Sequence, residues 1–503
     1  MYDTILAGMA QAFSIECILL IASGVTIGII FGAIPGLTAS MALILCLPLT
    51  FTMTPINGVS LLCGLFIGGI SGGLIPAILL KIPGTPGSVA TLFDGYPMAM
   101  KGQAHKALGA GILFSFLGTL FGIAVLVFCA PMLAEFALRF TPFEYFAVTF
   151  FALTLIASLS SGSMLKGFIS GLIGIAFGMI GMSPVGGIQR FTAGTVELQG
   201  GFEMVPFLVG LFAVSELFHN CAQGFIPLAM DNGKVVLRGF GISLKEFVGN
   251  LKTYGVSSTV GTIIGILPGI GVSTASIMGY LAAKKTSKHP EKFGTGIVDG
   301  IVASESANNA CIGGALVPLL ALGIPGDTVA AILLGALVMN NLQPGPLLFM
   351  TQGTLVYGIF TSLVIASFCM LVIELFLIRF FTRLIQTPKN ILMPLVIVMC
   401  MVGAFGVNNR AFDVWSVLLF GGLGYALHVF KFPLQPAVLG FILGNIVEMN
   451  FYRALMASKG DYLPFITRPI SAFFVIIGVL FIVYPLVRPL LFKLRKPRIQ
   501  SES

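Results

Sequence analysis

Charge is what this chain has least of. Only 9% of its 503 residues are Asp, Glu, Lys or Arg, against 57% hydrophobic, whereas a soluble domain carries roughly 25% charged residues. That shortage excludes a water-soluble fold. Strand alternation is also missing from the apolar runs. Its absence excludes a transmembrane barrel, the alternative to helices for satisfying a backbone in lipid. Cysteine pairs are missing too. Cys17, Cys46, Cys63, Cys129, Cys221, Cys311, Cys369 and Cys400 form no C-x-x-C, and nearly all lie in apolar segments, where they read as small buried hydrophobes. His105, His219, His289 and His428 are scattered, so no metal site is suggested and no cofactor is expected. No basic leader precedes the first apolar run, which Glu16 interrupts. The first helix is therefore expected to stay in the mature protein.

What is present is apolar sequence at spanning length. Ala107–Ala134, Gly167–Gln189 and Ile391–Asn409 contain no charged residue, and a bilayer core about 30 Å thick needs roughly 20 such residues as a helix. These runs predict an all-α polytopic membrane protein with about 10–14 hydrophobic segments. The net charge of +8 does not point to nucleic acid, because the basic residues sit in short loops between apolar runs, as the positive-inside rule describes. The basic tail "FKLRKPRIQSES" is expected in the cytoplasm, within reach of anionic lipid.

Two motifs recur. "GIIFGAIPGLTAS" (Gly28–Ser40) returns as "GTIIGILPGIGVS" (Gly261–Ser273) at a constant offset of 233 residues. "GGLIPAILLKIPGTPG" (Gly72–Gly87) returns as "GALVPLLALGIPGDTV" (Gly314–Val329) at an offset of 242. The Pro-Gly pairs are Pro35-Gly36, Pro83-Gly84, Pro268-Gly269 and Pro325-Gly326. The division expected is a first half over 1–218, a polar connecting arm over 219–250, a second half over 251–385, and scaffold helices with the tail over 386–503. In half one the basic residues Lys101, His105 and Lys106 follow the second motif. In half two Lys284, Lys285, Lys288 and Lys292 lie between the motifs. If basic loops share one side, the repeat is inverted. The same charge pattern predicts that the second motif is a broken helix crossing the membrane rather than a hairpin returning to its side.

Proline removes a backbone donor and glycine permits a turn. In a bilayer such a break is tolerated where it is buried in protein or lines a wet cavity. Paired breaks are expected to meet near the midplane and build one cavity, as in transporters whose half-helix N-termini face an anion while unwound carbonyls hold a cation. The candidate substrate contacts are Gly36, Thr38 and Ser40; Lys81, Gly84, Thr85 and Ser88; Gly269 and Ser273; and Gly326, Asp327 and Thr328. The hydroxyls and Asp327 also suit plain helix capping. Lys81 is costly at bilayer depth and suits a substrate carboxylate or, as the plainer alternative, a snorkelling lysine or a partner of Asp94. In "SESANNA", Glu305, Asn308 and Asn309 share one helix face. They suit a Na⁺ or H⁺ site, with Asp327 as a further ligand and the two amides also open to substrate, or a buried network that packs helices. Glu135, Glu144, Glu216, Glu374 and Glu448 stand near the ends of apolar runs, and most of them are expected at the interface.

These motifs, with "IPGTPGSVATLFDGYPMAMKGQAHKALG", "HPEKFGTGIVDGIVASESANNACIGGALVPLLALGIPGD" and "LQPGPLLF", resemble the TctA family, the large membrane subunit of tripartite tricarboxylate transporters. The resemblance spans roughly Gly24–Phe349. It implies a multi-pass protein of the bacterial inner membrane that takes up a carboxylate such as citrate, driven by Na⁺ or H⁺. It also implies a small TctB-like membrane subunit and a TctC-like periplasmic solute-binding protein as partners, and a substrate path at the Pro-Gly motifs and Asn308-Asn309. This chain departs from the family pattern at Lys81, Ser304 and Val272, where Asn, Pro and Gly are usual. Those departures bear on substrate and coupling ion. No H-E-x-x-H and no close aspartate pair supports an intramembrane enzyme. On spacing alone, a passive carboxylate channel fits the paired breaks as well as alternating access does, and a non-transporting structural subunit is the third reading.

Overall fold

The computed structural model describes residues 2–159, 163–223, 239–384 and 389–495. The middle of the connecting arm and the last part of the basic tail fall outside them. The chain is an all-α polytopic membrane protein. Among the described residues seven helices are long and apolar enough to cross a membrane, beside six shorter apolar ones. It forms two compact units, one of residues 1–138 with 203–426 and one of 139–202 with 427–503.

The first unit holds both sets of motifs. Its elements are α1 (Ile15–Ala33), α2 (Ala39–Cys46), α3 (Pro55–Gly72), α4 (Leu74–Leu80), α5 (Thr91–Met98), α6 (Ala104–Ala137), α7 (Leu244–Ile266), α8 (Gly271–Thr286), α9 (Val298–Leu322), α10 (Thr328–Met339) and α11 (Gly353–Leu384). Glycines let α1 and α3 touch backbone to backbone: Gly24, Gly28 and Gly32 lie against the carbonyls of Leu61, Leu65 and Gly69 in turn. Small residues at such contacts drive helix association in lipid. The order of contacts makes α1 and α3 parallel. The chain turns at Gly36 (φ 93°), and α2 runs back, with Ala39 beside Gly69 and Thr50 beside Gly58.

The second motif also turns back. The α3–α4 helix ends at Lys81 in the left-handed region (φ 58°). The chain then descends until the Gly84 amide donates to the Gly73 carbonyl (3.3 Å). From there α5 climbs beside α4, with Gly95 against Ile78. This corrects the expectation of a broken helix crossing the membrane. The crossing is made by the continuous Pro55–Leu80 stretch, and the Pro-Gly break belongs to a re-entrant hairpin after it. The reason is local: a left-handed residue followed by Pro83 ends the helix and reverses the chain.

Half two repeats this bond for bond. Gly261 and Gly265 of α7 lie against the carbonyls of Ala307 and Cys311 in α9. After α9, Gly323 (φ 73°) takes the place of Lys81. The Ile324 amide donates to Pro318 (3.2 Å) as Ile82 does to Pro76 (3.5 Å), and Gly326 donates to Ala315 (3.3 Å) as Gly84 does to Gly73. The two copies run in opposite directions. Along α5, Gly87, Thr91, Asp94 and Met98 meet Asn308, Glu305, Gly300 and Gly296 in that order, so α5 is antiparallel to α9 while running parallel to α4. The inversion therefore survives although both motifs are hairpins. It also gathers basic residues at one end of the unit: Lys101 Nζ donates to the Thr295 carbonyl (2.6 Å), and Lys106 pairs with Glu246.

In the second unit, helices Met164–Gly178 and Leu434–Ala457 pack closely at Gly174 and Ala437. Two ion pairs secure it, Arg190 with Glu448 (2.5 Å) and Arg468 with Glu144 (2.7 Å).

Candidate functional site

α9 passes both hairpins that follow the crossing helices. Gly87 of the first lies against the Asn308 side chain, and Gly326 of the second lies against Ala315. Seven residues separate these points, about 10 Å at 1.5 Å per residue. Every residue of α9 from Gly300 to Ala321 is buried, so this polar stretch faces protein on all sides.

Its polar side chains divide into satisfied and unsatisfied groups. Glu305 is satisfied: Thr91 Oγ1 donates to Oε1 (2.5 Å), while Ser115 Oγ (2.9 Å) and Asn309 Nδ2 (3.3 Å) donate to Oε2. Asn309 Nδ2 also donates to the Glu305 carbonyl (3.0 Å), and the Thr119 hydroxyl, which donates to the Ser115 carbonyl (2.8 Å), lies 3.5 Å from its Oδ1. Asn308 differs. It is fully buried, and neither atom of its amide is in hydrogen-bonding geometry with a partner, although the Glu305 carboxylate lies close enough to interact with it. Asp327 is half satisfied: Oδ1 caps α10 by accepting from the Ala330 amide (2.7 Å), and Oδ2 has no partner. Each buried polar group left unpaired costs about 1–3 kcal/mol, so such atoms are natural ligand contacts.

The other predicted residues are placed as follows. Thr38 is half-buried and caps α2, accepting from the Met41 amide (3.2 Å). Ser40, Ser273 and Thr328 are half-buried beside their breaks. Gly36 (φ 93°) and Gly269 (φ 79°) form the turns, and the Gly269 amide donates to the Gly326 carbonyl (2.8 Å). Thr85 is buried against Gly73, and Ser88 closes the turn by donating to the Thr85 carbonyl (2.9 Å). Gly84 packs on Gly32. Lys81 is exposed, its Nζ 5.6 Å from the centre of the Tyr96 ring.

Lys81 is not paired with Asp94. Asp94 is fully buried and accepts from the amides of Gly294, Gly296 and Ile297 (2.7–3.0 Å) and from the Tyr280 hydroxyl (2.8 Å). It thereby ties the α5 hairpin to the start of α9. Sequence reasoning missed Thr91, Ser115 and Thr119, the hydroxyl partners of the α9 network. Nothing in the repeat singled them out, since their roles depend on the crossing of α5 and α6 with α9. Glu374 is fully buried in the protein, with Ser71 Oγ 3.0 Å from its Oε2, four residues before the end of the apolar stretch Gly353–Ile378. Ser71 falls in a Gly69–Gly73 string with the spacing of a nucleophile elbow, but it lies inside a helix, not on a strand-to-helix turn. Among the described residues no group of His, Cys, Asp and Glu could hold a metal ion.

Comparison with known proteins places the chain in a family. Residues 18–439 match the family described as "Tripartite tricarboxylate transporter TctA family". An uncharacterised 52.8 kDa protein in the TAR-I ttuC' 3' region of Agrobacterium vitis is 35% identical over 466 residues, 92% of each chain. An uncharacterised protein in the TAR-II ttuC' 3' region of the same organism is 35% identical over 227 residues, 45% of this chain and 94% of its own. No solved structure matches. The chain belongs to the TctA family and is a membrane component of a tripartite tricarboxylate transporter.

Proposed function

We propose that this chain is the secondary active carrier of the system. It takes up an organic carboxylate, a tri- or dicarboxylate such as citrate, across the bacterial inner membrane by alternating access, in symport with Na⁺ or H⁺. A TctC-like periplasmic binding protein delivers the substrate, and a small TctB-like subunit completes the membrane complex. The basic end of the first unit faces the cytoplasm in this reading.

The observation that carries the proposal is the fully buried, unpartnered Asn308 amide against Gly87, with the unpartnered Asp327 Oδ2 at the second hairpin. An amide offers both a donor and an acceptor, and glycine lets a ligand approach the backbone. The amides around the breaks at Gly36, Gly84, Gly269 and Gly326 favour an anion, as helix starts do, with Thr38, Ser40, Thr85, Ser88, Ser273 and Thr328 as hydroxyl contacts. Glu305, Asn308, Asn309 and Asp327 supply the oxygens for a coupling cation, of which Asp327 alone combines a carboxylate with a free oxygen. Lys81, exposed over Tyr96, meets the substrate at the entrance and not in the buried site.

The test is uptake of a panel of radiolabelled carboxylates into vesicles holding the complex and its binding protein, with and without Na⁺ and pH gradients. Concentrative uptake that collapses with the gradient supports the carrier. Downhill flux indifferent to both gradients favours a channel, and uptake of no carboxylate overturns the proposal.

A further inference from the structure

Glu374 takes no part in the site above, yet it is among the most confined acids in the protein. It lies on α11, fully buried, against Ser71 of α3. Its Oε1 has no partner. The Ser71 hydroxyl oxygen is 3.0 Å from Oε2 and 3.4 Å from the Met370 sulfur. A hydroxyl has one hydrogen and cannot donate to both. The thioether is acceptor only. If Glu374 is the neutral acid, one chain satisfies every hydrogen: the carboxyl O–H donates to Ser71 Oγ, and Ser71 O–H donates to Met370 Sδ, leaving only a neutral carbonyl oxygen, Oε1, without a donor. If Glu374 is ionised, a fully buried carboxylate has one donor, no paired cation among the described side chains and an orphaned oxygen. Such a charge carries an uncompensated desolvation cost of several kcal/mol.

Among the described side chains no cation is paired with it. Helix Tyr2–Ala12, α1 and α3 offer only Asp3, Glu16, Cys17 and Cys63, α6 carries its charged groups at its ends, and on α11 itself Arg379 stands five residues further on. Glu305 on α9 is a further buried acid, near enough to act on it through space. A metal cation is a poor fit, since hard cations take several oxygen ligands and Met370 supplies sulfur.

We propose that Glu374 is a proton-binding site, held as the neutral acid in this conformation, and that its proton is exchanged during transport. Ser71 immediately precedes Gly72-Gly73, where the Gly84 amide of the re-entrant hairpin docks. Movement of that hairpin against α11 separates Ser71 from Glu374, admits water and lets the acid release its proton to the aqueous phase it then faces. Rebinding from the opposite side completes the exchange. The transport half of this proposal rests on the carrier reading; the protonation half does not.

Two measurements separate them. Infrared difference spectroscopy of the purified protein through a pH titration is expected to show the carbonyl stretch of a buried protonated carboxyl. That band should vanish in Glu374→Gln, shift in Ser71→Ala and persist in Glu305→Gln. No band removed by Glu374→Gln at any pH overturns the proton site, whatever the protein transports. In vesicles, carboxylate-driven proton movement read by a trapped pH dye should be lost in Glu374→Gln, while exchange of labelled for unlabelled carboxylate persists. Proton movement equal to wild type in that variant overturns the coupling role. Absence of carboxylate uptake by the wild type instead overturns the carrier reading and leaves the infrared result standing.

Discussion

Two neighbours on one helix, Glu305 and Asn308, are equally buried and carry opposite expectations. Glu305 accepts from Thr91, Ser115 and Asn309, so Glu305→Ala strands three donors. Thermal unfolding in detergent should show a clear loss of stability, roughly 3 kcal/mol or more. Asn308 makes no hydrogen bond of good geometry, so Asn308→Ala removes a poorly satisfied group. The variant should melt at or slightly above the wild-type temperature. Its uptake should still fall, with the KM for carboxylate raised by about tenfold, the loss of about 1.4 kcal/mol expected of one good hydrogen bond. A stable protein with normal uptake would remove Asn308 from the site. This distinction was not legible in "SESANNA". The spacing put Glu305, Asn308 and Asn309 on one face, but which of them is bonded depends on hydroxyls brought in by α5 and α6.

The helix ends and the close helix crossings make the element scale. Lys81 and Gly323 occupy the same left-handed turn. The sequence comparison set them apart as a charge against no charge, whereas the backbone makes them equivalent. A side chain in that region costs about 1–2 kcal/mol. Lys81→Gly should therefore raise the melting temperature and Gly323→Ala should lower it. Uptake by the stabilised Lys81→Gly protein then reports on the charge alone. At the crossings, a methyl group at Gly32 or Gly265 would run into the carbonyl of Gly69 or Cys311. Gly32→Ala and Gly265→Ala should each destabilise the fold by about 1–3 kcal/mol through overpacking, seen as reduced yield of monodisperse protein. The Pro-Gly repeat marked the breaks correctly. It did not give their direction, because a proline-glycine pair ends a helix without saying whether the next one continues or returns. The left-handed Lys81 and Gly323, which decide that, carry no sequence signal beyond glycine itself.

At the scale of the first unit, two pairs of hairpins are inverted with respect to each other, and the second hairpin of each pair meets α9. Inversion was legible in the loops, since Lys101 and Lys106 on one side of motif two match Lys284–Lys292 on the other side of motif one. The structure joins these segments through Lys101 with Thr295 and Lys106 with Glu246. Thr54 and Lys288 are both exposed and occupy opposite ends of the unit. In a background lacking the native cysteines, Thr54→Cys and Lys288→Cys should react with a membrane-impermeant thiol reagent from opposite sides of the bilayer, with Lys288→Cys labelled from the cytoplasm. Labelling of both from one side would contradict the inversion. The central claim is that the hairpin tips line a path open alternately to each side. Its most direct test is a single cysteine at Thr38, half-buried at the first tip, probed from either face with and without carboxylate and a cation gradient. The account predicts labelling from both faces, in proportions the gradient shifts, and protection from both when carboxylate is bound. Labelling from one face only, unchanged by carboxylate, would contradict it.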